Sequence, residues 1–327
     1  MTKPKTLIVT IAGMIGEQDL APLREKSDVD YCELTSITES DLANKCAGYN
    51  YLMLNMDVVP KTKDSSVKLS ETFYADPSVR ALKTIAIDMT GMDYFSPKAA
   101  AAAGVMLQNI PHYSSQSVAE TILSEILLHS RQRHAAYVDL LKGGKAQARK
   151  GINLANRTAG IVGYGSIGST VAGILKGIGM NVIVWNRSPK VGVKCVSLTE
   201  LFQQSDVICV TLKTVNDGVD SNTGLIGADL LKLCRNAIIV NLANELLVDS
   251  DAITVALRNG NVAAYSVEAS GEILRRQINE GNPDAEKIHF APSNAWNSDE
   301  SMQTLRDVWV NNILSVIAGK PINVYRE

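Results

Sequence analysis

The stretch that decides the fold is TAGIVGYGSIG, Thr158 to Gly168. An apolar run leads into Gly163, Gly165 and Gly168 in GxGxxG spacing, and a helix is expected from Ser166 to about Lys176. The first glycine permits a tight strand-to-helix turn. The second lets backbone approach a pyrophosphate, and the third lets helix and strand pack closely. The anion would rest on the free amides at the helix start, around Ser166 and Ile167, where the helix dipole also favours negative charge.

Working outward, apolar runs alternate with helix-compatible stretches on both sides. Upstream are LIVTIA, a helix near 17 to 26, YLML at 51 to 54 and TIAIDM at 84 to 89. Downstream of the glycines follow NVIVWN, DVICVTL, NAIIVNLA and NVAAYSV. Such alternation reads as βα units, so the expectation is an α/β protein with two doubly wound parallel sheets, both Rossmann-like. Residues 61 to 78 read as a polar surface excursion around a short helix. Residues 116 to 141 form the longest helical pattern, with Val118, Ile122, Ile126 and Leu127 on one stripe, and 299 to 318 form a closing helix.

Composition bounds the function. The chain has 327 residues, 46% of them hydrophobic and 20% charged, which describes a globular protein and excludes a disordered one. With 32 basic and 34 acidic side chains, it carries no overall field favouring nucleic acid or an anionic membrane. The basic group Arg131, Arg133, Lys142, Lys145, Arg149 and Lys150 reads as a solvated face. No run approaches the ~20 apolar residues of a membrane span, and the amino terminus does not read as a secretory signal, so the cytoplasm is the expected location. The 5 cysteines show no CxxC spacing and the 4 histidines no metal pattern. Reduced, mostly buried thiols and no metal are expected.

The run NVIVW ends at Trp185, close to the ~20 residues past the glycines at which an acid would hold the ribose hydroxyls of NAD. The chain continues instead with Asn186, Arg187 and Ser188, then Lys190 and Lys194. These groups suit a 2'-phosphate, so NADP(H) is the expected cofactor, with NAD(H) as the alternative.

The sequence resembles the D-isomer-specific 2-hydroxyacid dehydrogenase family, which includes glyoxylate and hydroxypyruvate reductases and phosphite dehydrogenase. The likeness runs through 89 to 120, 158 to 168, 236 to 262 and APSNAWNSDES at 291 to 301. It implies a substrate domain of 1 to 108 and 293 to 327, a cofactor domain of 109 to 292, a cleft between them, a small-molecule substrate and a homodimer built on the helix from near Ser117.

The resemblance also implies an arginine that clamps the substrate carboxylate, a histidine acid/base and a glutamate that tunes it. This chain departs from that pattern. Asn244 stands in place of the arginine and Ser293 in place of the histidine. Ala243 and Glu268 fall at cofactor-side positions, Glu268 replacing an aspartate, and Glu272 lies about one residue from the expected glutamate. A neutral amide supplies no charge-assisted fork, and a lone hydroxyl is a poor acid near neutrality. Lys213, where the family has proline, and His112, in NIPHY, are candidates to act instead, and TVNDGVDSNTG enlarges a loop beside the cofactor. Three readings follow: an oxidoreductase with a non-standard substrate, a nucleotide-binding regulatory dimer without turnover, and an ordinary 2-keto acid reductase with compensating groups.

Overall fold

Strands β1 (Lys5–Thr10), β2 (Asp28–Glu33), β3 (Tyr51–Leu54), β4 (Thr84–Ile87) and β5 (Met106–Gln108) form one parallel sheet in the order β2-β1-β3-β4-β5. Helices α1 (Glu17–Lys26), α2 (Glu39–Lys45), α3 (Glu71–Ala75) and α4 (Pro97–Ala102) alternate with them. In this computed structural model, residues 3–60, 67–141, 143, 149–215, 221–268 and 285–325 are described. The expected Glu272 and part of the TVNDGVDSNTG loop lie outside them.

The strands of this sheet read as short apolar runs because both faces are covered. Leu52, Leu54, Ile85 and Ile87 face one core, and Ile8, Met53 and Ala86 face another. The second core is closed by the last long helix of the chain, Asp299–Ile317. Its Trp309 is fully buried and donates from Nε1 to the Ala86 carbonyl at 2.8 Å.

A second unit, Ser114–Ser298, is separate by contact from the unit that joins the residues up to Tyr113 with those from Asp299 onward. It contains α5 (Ser115–Ser130), α6 (Arg133–Leu141), β6 (Thr158–Val162), α7 (Ser166–Gly177), β7 (Asn181–Trp185), α8 (Leu198–Gln204), β8 (Val207–Val210), α9 (Ala228–Leu231), β9 (Ala237–Asn241), α10 (Ser250–Arg258), β10 (Val262–Glu268) and β11 (Ile288–Ala291). The sheet is parallel throughout, in the order β11-β10-β9-β8-β6-β7. The chain starts at β6, moves outward to β7 and returns past β6 to β8, so the order reverses there. That is where an open α/β sheet binds its ligand.

The expected single helix over 116 to 141 is two. The chain leaves α5 at Arg131, and Gln132 adopts a left-handed φ of 56° before α6 begins. Of the basic group on this stretch, Arg149 is paired with Asp139 at 2.8 Å. Cys46, Cys209 and Cys234 are buried, whereas Cys195 is exposed.

The face of α5 that packs on β10 and β11 is polar. Glu125, His129 and Ser266 are buried there. Ser266 donates its hydroxyl proton to Glu125 Oε2 at 2.6 Å, and His289 Nδ1 lies 2.7 Å from the same oxygen. His129 Nε2 is 2.8 Å from Ser266 Oγ. Since the serine spends its one proton on the carboxylate, it accepts from His129, which fixes that ring as a neutral Nε2–H donor. The His134 and His289 rings meet edge to face at 4.9 Å.

Burial pushes His129 down to about 4 from an ordinary 6.5. For Glu125, burial raises the pKa, but hydrogen bonds from His289 and Ser266 outweigh it and leave it below the ordinary range. Both shifts act in one direction on stability. The unfolded chain takes up a proton at His129 first, so stability falls as pH drops from about 6.5 to about 4, by on the order of 3 kcal/mol for this group. Glu125 adds a further loss below that range as it is protonated. Thermal unfolding of the wild type followed between pH 7 and 4.5 is expected to show this slope, and His129→Gln to flatten it. Parallel curves for the two proteins would refute the assignment.

Candidate cofactor and substrate site

The turn from β6 to α7 is fixed by contacts from both neighbouring strands. Gly163 takes φ +100°, a conformation that other residues rarely adopt, and its N–H donates to the Trp185 carbonyl of β7 at 2.8 Å. From the β8 side, Thr211 Oγ1 donates to the Gly163 carbonyl at 2.7 Å. A Cβ on Gly168 would lie 2.0 Å from that same carbonyl oxygen, so only glycine lets α7 start this close to the strand. Gly165 is different. A Cβ there would meet nothing within 4 Å, so the space before the helix is open.

That space is part of a cleft of about 520 Å³ at the reversal point of the sheet. Gly163, Gly165, Asn186, Arg187, Ser188 and Lys213 all line it. The first-turn amides of α7, at Ser166, Ile167 and Gly168, have no carbonyl ahead of them within the helix, which suits a phosphate. The Ser166 hydroxyl is 2.6 Å from that of Ser115.

Asn186 is committed to the protein. Its Oδ1 accepts from Tyr164 N at 2.9 Å and its Nδ2 donates to the Ser188 carbonyl at 2.8 Å, so it ties the glycine turn to the end of β7. Arg187, Ser188 and Lys190 are exposed at the mouth of the cleft. A nicotinamide dinucleotide fits this set: an open glycine before free amides for the pyrophosphate, and basic groups past β7 for the adenosine end. Lys213 lines the cleft and is exposed.

The remaining expected residues fall elsewhere. Asn244 follows β9, and its Oδ1 accepts from Leu246 N at 2.9 Å as the cap of a short helical turn. Ala243 N donates to Asn241 Oδ1 at 3.2 Å. Glu268 ends β10 and is half-buried, and register sets it opposite Ala291, two residues before Ser293. Burial raises the Glu268 pKa and the Ser293 hydrogen bond partly offsets this. Ser293 is exposed, and its carbonyl accepts from Trp296 Nε1 at 3.2 Å. His112 is exposed, has a left-handed φ of 64° and belongs to the first unit, whereas Lys213 belongs to the second.

Sequence reasoning passed over one buried acid in the first unit. Asp88 follows β4, with Asn55 Nδ2 donating to one oxygen and Met56 N to the other at 2.7 Å. Burial pushes it up to about 7. Polar residues directly after the runs YLML and TIAI were the available signal.

Residues 123–271 match the family model described as D-isomer specific 2-hydroxyacid dehydrogenase, NAD binding domain. Glycerate dehydrogenase of Methylorubrum extorquens is 29% identical over 300 residues, 88% of each chain. Over residues 123–271 the chain carries the NAD-binding domain of the D-isomer-specific 2-hydroxyacid dehydrogenase family. Solved structures share this family fold. A glyoxylate reductase from Paecilomyes thermophila superposes with TM-score 0.79 at 22% identity, covering 98% of both chains. An acyclic imino acid reductase, Bsp5, in complex with NADPH and D-Arg gives 0.79 at 21% identity, covering 98% of this chain and 100% of that one. The domain match supports a nicotinamide cofactor and is consistent with a small-molecule substrate. Among the described residues, no helix is long and apolar enough to cross a membrane.

The two glycines give separable outcomes. Gly165→Ala is expected to keep the melting temperature within about 2 °C yet weaken NADPH binding by roughly tenfold, because the methyl enters only ligand space. Gly168→Ala is expected to lower both. Calorimetric melting and nicotinamide fluorescence titration check this, and unchanged affinity in Gly165→Ala would refute the cradle.

Proposed function

We propose that this dehydrogenase prefers NADP(H) and acts on a substrate other than the ordinary 2-hydroxy and 2-keto acids. The observation that carries the cofactor reading is the lining just past β7. Arg187, Ser188 and Lys190 stand there, and among the described lining residues there is no carboxylate to hold a free ribose or repel a 2'-phosphate. The bound nucleotide would supply or accept a hydride. The chain's own groups do the rest: the amides at Ser166, Ile167 and Gly168 hold the pyrophosphate, and Arg187 and Ser188 hold the phosphorylated ribose.

The substrate reading rests on Asn244 and Ser293. The amide of Asn244 carries no charge and its Oδ1 is engaged by Leu246 N, so it offers a substrate carboxylate no cationic fork. The same observation favours the second reading, a nucleotide-binding regulatory dimer without turnover. We assign the protein to the cytoplasm as a homodimer. The exposed Leu127, Tyr137, Leu140 and Leu141 on α5 and α6 supply an apolar surface for the second copy.

Arg187→Ala is expected to weaken NADPH binding about tenfold or more, the worth of a charge-assisted contact, while changing NADH affinity less than about twofold. Fluorescence titration with both nucleotides checks this, and an equal effect on the two would sink the phosphate assignment. NADPH oxidation assayed across 2-keto acids, aldehydes and imines separates the readings. Turnover on a carbonyl or imine other than a 2-keto acid supports the first, and tight NADPH binding with no oxidation supports the second.

A further inference from the structure

The glycine turn is flanked by two strand ends at the same level. Register sets Trp185 of β7 and Val210 of β8 both opposite Val162 of β6. Arg187 comes two residues past the first and Lys213 three residues past the second, and both line the cleft. The two cations therefore belong to strand ends about two strand spacings apart, ~10 Å, one on each side of the turn. On the β8 side the chain lies close against the turn. Thr211 Oγ1 donates to the Gly163 carbonyl at 2.7 Å, and the Leu212 nitrogen would be 3.0 Å from a Cβ on Gly163. Lys213 is the next residue, and its backbone is fastened by Asn222, which also lines the cleft. Asn222 Nδ2 donates to the Lys213 carbonyl at 2.8 Å, its Oδ1 accepts from Val215 N at 2.8 Å, and its own N–H donates to the Val215 carbonyl at 3.0 Å.

Charge decides what this arrangement suits. A pyrophosphate brings two negative charges, whereas the dipole and free amides at the start of α7 amount to about half a positive charge. Arg187 and Lys190 stand past β7, at the adenosine end. The cation on the other side of the turn is Lys213, and among the described lining residues there is no carboxylate to repel an anion. We propose that Lys213 is a pyrophosphate-binding residue, reaching the dinucleotide from the β8 side while the α7 amides hold it from the helix side, and that Asn222 is its positioning residue. The proposal rests on a nicotinamide dinucleotide occupying the cleft, but not on the preference for NADP(H). NADH and NADPH carry the same pyrophosphate, so Lys213 serves both alike, whereas Arg187 separates them. A lysine ammonium on its flexible stem acts as a point charge, which suits a pyrophosphate whose oxygens face several directions.

Fluorescence titration of the full-length chain with NADPH and with NADH tests this. Lys213→Met keeps an apolar stem and removes the charge. It is expected to weaken both nucleotides by the same factor, about fivefold to tenfold, and Lys213→Arg to keep most of the affinity. Because the contact joins charges at a site open to solvent, wild-type affinity should fall more steeply with added salt than that of Lys213→Met. Asn222→Ala is expected to weaken both nucleotides about threefold in the wild-type background and to add nothing in the Lys213→Met background, since a residue acting through Lys213 has no charge left to place. An equal loss in both backgrounds makes Asn222 merely structural and overturns its assignment. Unchanged affinity for both nucleotides in Lys213→Met overturns the pyrophosphate contact, and so does a loss confined to NADPH, which moves Lys213 to the 2'-phosphate. Either result leaves the cofactor reading standing. Wild type that binds neither nucleotide overturns both.

Discussion

The closeness of α7 to β6 governs the geometry of the cofactor cleft. With no room for a methyl group between Gly168 and the Gly163 carbonyl, the helix starts directly above the strand, and its free amides open into the cleft. Thr211 from β8 and the Trp185 carbonyl from β7 hold the turn from its two sides, and Asn186 fastens the next residue, Tyr164. These bonds span three adjacent strands, so the cradle is rigid before any ligand arrives and little ordering remains to be done on binding. The same tie explains why Asn186 acts as a brace for the turn and why Arg187 and Ser188, just beyond it, are the groups left facing the cleft.

The sheets were legible where strands are covered on both faces. Runs such as TAGIV, VICV and AIIVN are apolar but for the end residues Thr158 and Asn241, because helices lie above and below them. β2, DVDYCE, gave no such signal: it is an edge strand with mixed exposure, and its polar residues face outward. β5 has only three residues. β11, IHFA, was hidden because its histidine serves a buried network and not an apolar core. The break between α5 and α6 carries neither glycine nor proline, and nothing local announces the left-handed Gln132.

The site divides in the same way. Glycine spacing reports backbone geometry directly, so Gly163, Gly165 and Gly168 were readable one by one. Pairings made by strand register were not. Glu268 comes opposite Ala291, two residues before Ser293, because β10 and β11 run side by side in parallel. Asn244 shows the converse, since a residue considered for substrate contact uses its side-chain oxygen to cap the turn it begins.

Two glutamates on one face of the second sheet show how the surroundings divide a single residue type into two roles. Glu125 is the more deeply enclosed, yet it receives bonds from Ser266 and His289, and these outweigh the cost of burial and hold it as an anion. Glu268, two residues beyond Ser266 on β10, has Ser293 as the one side chain opposing its burial, and its affinity for a proton rises. The number of donors, more than the depth of burial, sets the sign of the shift. A carboxylate held ionised by several donors is suited to fastening α5 to the sheet. A half-buried carboxyl at a strand end can change its protonation without undoing the fold, and groups whose surroundings push their pKa values apart are where acid and structural roles separate.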